Sequence, residues 1–118
     1  MGYRKDMETG NQIVLCTCPS EEVARGLAGA LVEQALAACV NIIPGIESVY
    51  HWQGRVETDP EWLLVIKAPA RAYPKLEAAI TSLHPYELPE IIAVPIVAGL
   101  PAYLAWMNER GGDSSSTP

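Results

Sequence analysis

The sequence is short of positive charge. Lysine and arginine together number 8 against 14 aspartates and glutamates, which gives a formal net charge of −6 over 118 residues. Proteins that bind the phosphate backbone of nucleic acids usually present a basic face. The charge balance therefore argues against a nucleic-acid partner and favours a cationic ligand.

Long apolar runs are also lacking. No stretch reaches the roughly 18 apolar residues that a membrane-spanning helix needs. Residues 1–11 carry charges but no apolar segment of the kind found in secretion signals. We therefore expect no membrane span and no export signal, and we expect the protein in the cytoplasm.

Cysteines are few and odd in number: Cys16, Cys18 and Cys39. An odd count without a secretion signal does not suggest a disulfide framework, so we expect reduced thiols. Cys16 and Cys18 do not have the Cys-x-x-Cys spacing of redox and zinc motifs. The simplest interpretation makes them small buried apolar residues on a strand.

Catalytic motifs are missing as well. The sequence has only two histidines, His51 and His84, and it contains no Ser-His-Asp order, Gly-rich phosphate loop or His-x-x-x-His spacing. Acid-base machinery would be sparse. We therefore predict that the protein is not an enzyme.

Apolar residues, by contrast, are abundant. They make up 49% of the chain, and charged residues only 19%, against about 25% charged in typical soluble domains. The length predicts a single domain at residues 12–110, between a flexible N-terminus (1–11) and a disordered polar tail (111–118). One small domain has difficulty hiding so much apolar surface, so the composition indicates an oligomer.

Hydrophobic periodicity predicts the order β-α-β-β-α-β and a short final helix. The predicted strands are residues 12–18, 38–53, 61–68 and 91–98, with a bend at Pro44-Gly45 and a turn at residues 53–55. The first predicted helix starts at Ser20, and its apolar spacing continues to Ala38. Two further helices are predicted at residues 71–83 and 101–110. This order predicts an α+β, ferredoxin-like antiparallel sheet with two helices on one side. The acidic residues 57–61 are interpreted as a solvated hairpin tip.

The predicted strands are apolar on both alternating faces, as in QIVLCTC, WLLVIKA and IIAVPIVA. An antiparallel sheet with one wet face should alternate apolar and polar residues. Two helices cover only one face. The other face is therefore expected to pack on a second copy of the chain.

Residues 84–90 (HPYELPE) form the segment richest in chemical groups. Proline fixes φ and biases the preceding residue toward an extended conformation. His84 and Leu88 each precede a proline. The segment is thus expected to follow a stiff, non-helical path that holds its polar groups in place.

Four stretches together resemble the CutA family of divalent-cation tolerance proteins. They are residues 36–45 (LAACVNIIPG), 48–54 (SVYHWQG), 61–67 (EWLLVIK) and 84–90. The resemblance runs from about Ile13 to Met107. It implies a homotrimer similar to the PII signalling proteins, with sheets facing the threefold axis and long hairpins reaching neighbouring subunits.

The resemblance also implies binding of copper or another divalent cation through Cys16, His84 and Glu90. Thiolate and imidazole suit copper or zinc. Some relatives carry two adjacent histidines here, and the first of them falls on Leu83 in this chain. Two alternatives stay open: His84 caps the helix end or pairs with Glu90, and Cys16 belongs to the core.

A second constellation would form a ligand cleft between subunits of a PII-like trimer. Its members are Tyr50, Trp52, Lys67, Tyr86 and Glu90. The alternative is that the aromatic rings fill the subunit interface and Lys67 forms an intersubunit salt bridge. The sequence thus leaves three hypotheses: a copper-binding or divalent-cation-binding tolerance protein, a regulatory module that binds a small ligand, and a structural trimeric scaffold.

Overall fold

A computed structural model describes residues 9–111. Most of the predicted flexible N-terminus (1–11) and of the predicted disordered tail (111–118) lies outside these residues. The strands are β1 (Asn11–Cys18), β2 (Cys39–Trp52), β3 (Arg55–Pro69) and β4 (Ile92–Pro95). The helices are α1 (Glu21–Glu33), α2 (Tyr73–Leu83), which follows a 3-10 turn at Ala70–Ala72, and α3 (Pro101–Arg110).

The four strands form one antiparallel sheet in the order β2-β3-β1-β4. The predicted α+β class and antiparallel sheet are confirmed. β1 lies between β3 and β4, so the first strand of the chain is an inner strand. Residues 12–15 of β1 therefore pair with both neighbouring strands, and residues 16–18 pair with β3 alone.

The sheet has two faces of different burial. Cys16 pairs with Leu64 and Val14 with Ile66, and all four side chains are fully buried under α1 and α2; we call this the helix face. Paired residues share a face, and alternate residues change face. The open face therefore carries the side chains of Ile13, Leu15, Leu63 and Val65, all partly exposed, with Ile43, Ile92 and Val94 more exposed around them.

Helix α1 begins as its sequence predicts and ends earlier. The Ser20 hydroxyl accepts a hydrogen bond from the Val23 amide at 3.2 Å, and Glu21 and Glu22 lie in the first turn. At the other end, the Leu36 amide donates to the Leu31 carbonyl and the Ala35 amide to the Val32 carbonyl. This is a Schellman motif. Apolar spacing up to Ala38 had suggested a longer helix, but these bonds close it at Glu33.

Ala35 lies in the left-handed region, with φ of 59°, where an L-residue with a Cβ is disfavoured and glycine is not. We expect Ala35→Gly to raise the free energy of unfolding by about 0.5–1 kcal/mol, because the relieved strain exceeds the added entropy of the unfolded chain. Urea denaturation at one protein concentration measures this change. The control is Ala30→Gly within α1, where the same substitution should cost about 0.5–1 kcal/mol. An equal loss of unfolding free energy in both variants would show that Ala35 is not strained.

The β2–β3 hairpin is strand almost to its tip. The predicted bend is confirmed: the register shifts between Ile43 and Ile46, and Gly45 has a positive φ of 74°. Gln53 and Gly54 both have positive φ and form the two-residue turn. Because the turn has only two residues, Trp52 and Arg55 on either side of it already pair. β3 therefore begins at Arg55, six residues before the predicted start at Glu61.

β4 and α3, the last two elements of the chain, pack near the start of β1. β4 is shorter than predicted and ends at Pro95, although the Ile96 amide still donates to the Asn11 carbonyl at 3.0 Å. α3 has its predicted bounds and packs by the buried Met107. The Asn11 side-chain amide donates to the Leu104 carbonyl, which ties α3 to β1. Within residues 9–111, no helix combines the length and apolar character that crossing a bilayer requires.

Candidate functional site

The loop of residues 84–90 is anchored at its start by the ring of His84, which is 7% exposed. The Tyr86 amide donates to Nδ1 at 3.1 Å, so that nitrogen has the lone pair. Nε2 therefore carries the hydrogen and donates to the Thr17 carbonyl at 2.8 Å. Both ring nitrogens of the neutral tautomer are thus occupied by main-chain groups, one from Thr17 near the end of β1 and one from Tyr86 in the loop itself.

His84 also belongs to a buried cluster of soft donor atoms. The sulfurs of Cys16 and Cys18 and a ring nitrogen of His84 lie within 4.8 Å of one another. Cys16 and Cys18 share the helix face because they are two residues apart on β1. Cys18 was not among the predicted ligands, because Cys16 and Cys18 lack the Cys-x-x-Cys spacing of metal motifs. In a strand, however, the i, i+2 spacing places two side chains on the same face.

The thiol of Cys16 holds its proton firmly. Its hydrogen bond with Cys18 and its burial raise the pKa of Cys16, and the negative charges of Glu90 and Glu61 raise it further. A metal would have to displace this proton before it bound the sulfur. The donor types fit copper(I) or zinc, but a metal would also have to replace one hydrogen bond of His84.

Glu90, the third ligand implied by the family resemblance, is exposed and lies outside this close set. The structure thus brings Cys16 and His84 together and adds Cys18. Glu90 instead lines a groove of about 1110 Å³ between the β2–β3 hairpin and the loop of residues 84–90. The loop passes from His84, beside the helix-face thiols, to Tyr86, beside Glu61 on the open face.

The groove contains four of the five residues predicted for a ligand cleft, all except Lys67. Ile46 pairs with Glu61 and Tyr50 with Glu57, so Tyr50 and Trp52 share a face with Asp59 and Glu61. Tyr86 comes from the loop on the other side. The aromatic and charged residues that line the groove are Tyr50, His51, Trp52, Asp59, Glu61, Tyr86, Glu87 and Glu90.

Two phenols orient two carboxylates in the groove. The Tyr50 hydroxyl donates to Asp59, and the Tyr86 hydroxyl donates to Oε2 of Glu61 at 2.7 Å. The bond to Asp59 raises the pKa of Tyr50 to about 12, and burial together with Glu61 raises the pKa of Tyr86. Both phenols therefore stay neutral donors at physiological pH.

Lys67, the remaining predicted cleft residue, does not line the groove. Its ammonium lies 5.9 Å from the centroid of the Tyr103 ring of α3. Glu61, which the sequence placed in a solvated hairpin tip, is 7% exposed. In a strand, Glu61 shares a face with Asp59 because the two are two residues apart. This relation could be used only once β3 was known to start at Arg55.

Comparison with known proteins gives a consistent family. The family described as "CutA1 divalent ion tolerance protein" matches residues 12–110. A Thermus thermophilus divalent-cation tolerance protein CutA is 54% identical, over 86% of this chain and 98% of that protein. The mouse Protein CutA is 48% identical over 79% of this chain, which spans only 52% of the mouse protein. A solved structure titled "PII-like protein CutA from Nostoc sp. PCC 7120 in apo form" superposes with a TM-score of 0.79 at 34% identity, covering 84% of this chain and 95% of that one.

Proposed function

The chain belongs to the family of CutA1 divalent ion tolerance proteins, and from this premise we propose that it acts as a non-enzymatic homotrimer that binds copper or another divalent cation. The observation that carries the metal proposal is the cluster of Cys16, Cys18 and His84. Two thiols and an imidazole suit copper and zinc. Cys16 and His84 are retained from the predicted ligand set, and Glu90 contributes through its charge or by moving inward.

Binding at this cluster has a cost that makes it weak and pH-dependent. The metal must release the proton of Cys16, whose pKa is raised, and must replace a hydrogen bond of His84. Because a bound thiol loses its proton, affinity should increase as the pH rises. With such a low affinity, the protein would bind the metal when it is in excess and would leave trace concentrations of it unbound.

The open face supports the proposed trimer, and the strand order supports the proposed ferredoxin-like arrangement. Apolar side chains of β1, β3 and β4 stay partly or well exposed on this face in the single chain, and exposed apolar patches of this kind mark interaction surfaces. The order β2-β3-β1-β4 agrees with the proposed ferredoxin-like arrangement. The cytoplasm stays the expected location.

Calorimetric titration with Zn(II), and with Cu(I) under reducing conditions, tests the metal proposal. We expect Cys16→Ser and Cys18→Ser each to weaken binding by about tenfold or more, since each removes a thiolate ligand. The matched control is Cys39→Ser, because Cys39 is half-buried on β2 and outside the cluster. Unchanged affinity in both cluster variants, or an equal loss in Cys39→Ser, would remove these ligands from the proposal.

The groove favours a second candidate function, a regulatory module that binds a small ligand as PII-like proteins do. Its volume of about 1110 Å³ is slightly above the range of about 300–1,000 Å³ typical of ligand sites. Under this hypothesis Lys67 would reach the site only from a neighbouring subunit. A structural trimeric scaffold is the third hypothesis, and a ligand of either kind would argue against it.

A further inference from the structure

Cys16 and Cys18 are two fully buried free thiols on the helix face of β1, separated by one residue. Their sulfurs lie within 4.8 Å of each other and of a ring nitrogen of His84. Cys39, the third cysteine, is half-buried on β2 and lies outside this cluster. A disulfide bond measures about 2.05 Å, so a small local movement would bring the two sulfurs of the pair into bonding distance.

A disulfide between these two positions would shorten the strand. Two residues of an antiparallel strand advance roughly 6.8 Å, and Cα atoms joined by a disulfide are usually separated by about 4.4–6.8 Å. The end of β1 has room to bend, because residues 16–18 pair with β3 alone and Pro19 follows them. The bond would therefore be strained, and strained disulfides are the ones that are easily reduced again.

The carbonyl group between the two cysteines anchors the loop of residues 84–90. The Thr17 oxygen accepts a hydrogen bond from Nε2 of His84 at 2.8 Å, and the Cys16 sulfur lies 3.8 Å from the same oxygen. Nδ1 of the His84 ring accepts the Tyr86 amide. Drawing Cys16 and Cys18 together would turn the Thr17 peptide group away from this ring. The anchor of the loop thus depends on the reduced state of the pair.

We propose that Cys16 and Cys18 form a redox switch, in which oxidation by a peroxide joins them and releases the loop of residues 84–90. One thiol attacks the peroxide, breaks the O–O bond and becomes a sulfenic acid as the first water leaves. The other thiol then forms the S–S bond and displaces the second water. The two thiols lose two electrons and two hydrogens, and one hydrogen peroxide becomes two waters. An external dithiol reverses the change by thiol–disulfide exchange.

The burial of both thiols makes this reaction slow. Hydrogen peroxide is nearly as small as water, and local opening at strand ends and loops admits such molecules. The switch uses the same two sulfurs as the proposed metal site, yet it stands on the thiol geometry and needs no metal. Because the metal ligand is a thiolate, the oxidised protein should also lose the two sulfur ligands of that site.

Hydrogen peroxide treatment of the assembled, chelator-treated protein tests the bond. The free thiols are then alkylated in denaturant and counted by mass spectrometry. We expect the count to fall from three per chain to one, with the peptide that carries Cys16 and Cys18 lighter by two hydrogens. Cys39→Ser should still form the bond, and Cys18→Ser should form none within the chain. Retention of all three thiols, a sulfinic acid at either cysteine, or a bond between chains would overturn the proposal.

Hydrogen exchange at the Tyr86 amide tests the release of the loop. Oxidation should accelerate this exchange by about tenfold or more, because the ring that holds the amide loses its own anchor. Dithiothreitol should restore the original rate. Cys18→Ser is the matched control, and the same peroxide treatment should leave its exchange unchanged. A disulfide that forms without any change at Tyr86 would show that the pair does not control the loop.

Failure of the switch and failure of the metal proposal can be told apart by titrating the reduced and the oxidised protein with Zn(II). Binding to the reduced form alone supports both. If the reduced protein binds no zinc and the disulfide still forms and releases the loop, only the metal proposal fails. If zinc binds and peroxide leaves all three thiols intact, only the switch fails.

Discussion

Ile66→Asp is expected to abolish folding, whereas the neighbouring Val65→Asp is expected to dissociate the assembly and spare the fold of the chain. Ile66 is fully buried on the helix face of β3. An unpaired charge there costs several kilocalories per mole, a large part of the roughly 5–15 kcal/mol that stabilises a domain. Val65 lies on the open face and is only partly buried in the single chain, so its charge stays in contact with water until subunits associate.

Circular dichroism and sedimentation velocity separate these two outcomes. Ile66→Asp should show no cooperative thermal transition. Val65→Asp should retain the far-ultraviolet spectrum of the native protein and sediment as a monomer. The control is Val65→Thr, which keeps the shape of the side chain and adds no charge. A Val65→Asp protein that is still a trimer of unchanged stability would show that subunits do not associate through this face.

His84→Ala is expected to release the loop of residues 84–90 and to lower the free energy of unfolding by roughly 2–4 kcal/mol. The substitution leaves the Thr17 carbonyl and the Tyr86 amide without the partner that now joins them. A buried main-chain group without a partner costs about 1–3 kcal/mol. The ring also contacts Tyr86, with centroids 4.7 Å apart, so its loss removes packing as well.

Urea denaturation measures the loss of stability, and hydrogen exchange at the Tyr86 amide measures the release of the loop. The control is His51→Ala, because His51 is an exposed residue of β2 and its removal should change stability by less than about 0.5 kcal/mol. Similar stability and similar Tyr86 exchange in the two variants would contradict the anchoring role. His84→Ala therefore confounds a metal titration, and for that reason the cysteine variants carry the test of metal binding.

Much of the fold followed from local chemistry. The bounds of α3 were predicted correctly because Pro101 starts it and Gly111 follows it. The bend in β2 was predicted because Pro44 cannot donate to a ladder and Gly45 accepts a positive φ. These features depend on residues within a few positions of one another, which a sequence displays directly.

Two predictions were wrong, one because of a local motif and one because of a contact between distant residues. Apolar spacing continued past Glu33, but hydrogen bonds to Leu31 and Val32 ended α1 there. Glu61 looked like part of a solvated acidic tip, and the loop carrying Tyr86 covers it. Lys67 and Tyr50 were expected to meet in a cleft between subunits, and within the single chain the pairing of Cys39 with Lys67 places Lys67 at the other end of the hairpin, next to α3.

The sheet order has a consequence for the sequence of events in folding. The β2–β3 hairpin joins residues close in the chain, so its loop-closure entropy is small and it should form early. β1 can pair with β4 only after most of the chain has been ordered, since Gln12 meets Pro95. Yet residues 55–61 of β3 pair with β2 alone, and an isolated two-stranded ribbon is marginal in water. The β2–β3 hairpin is thus expected to form first, yet in the folded protein its outer part depends most on the elements that cover it later.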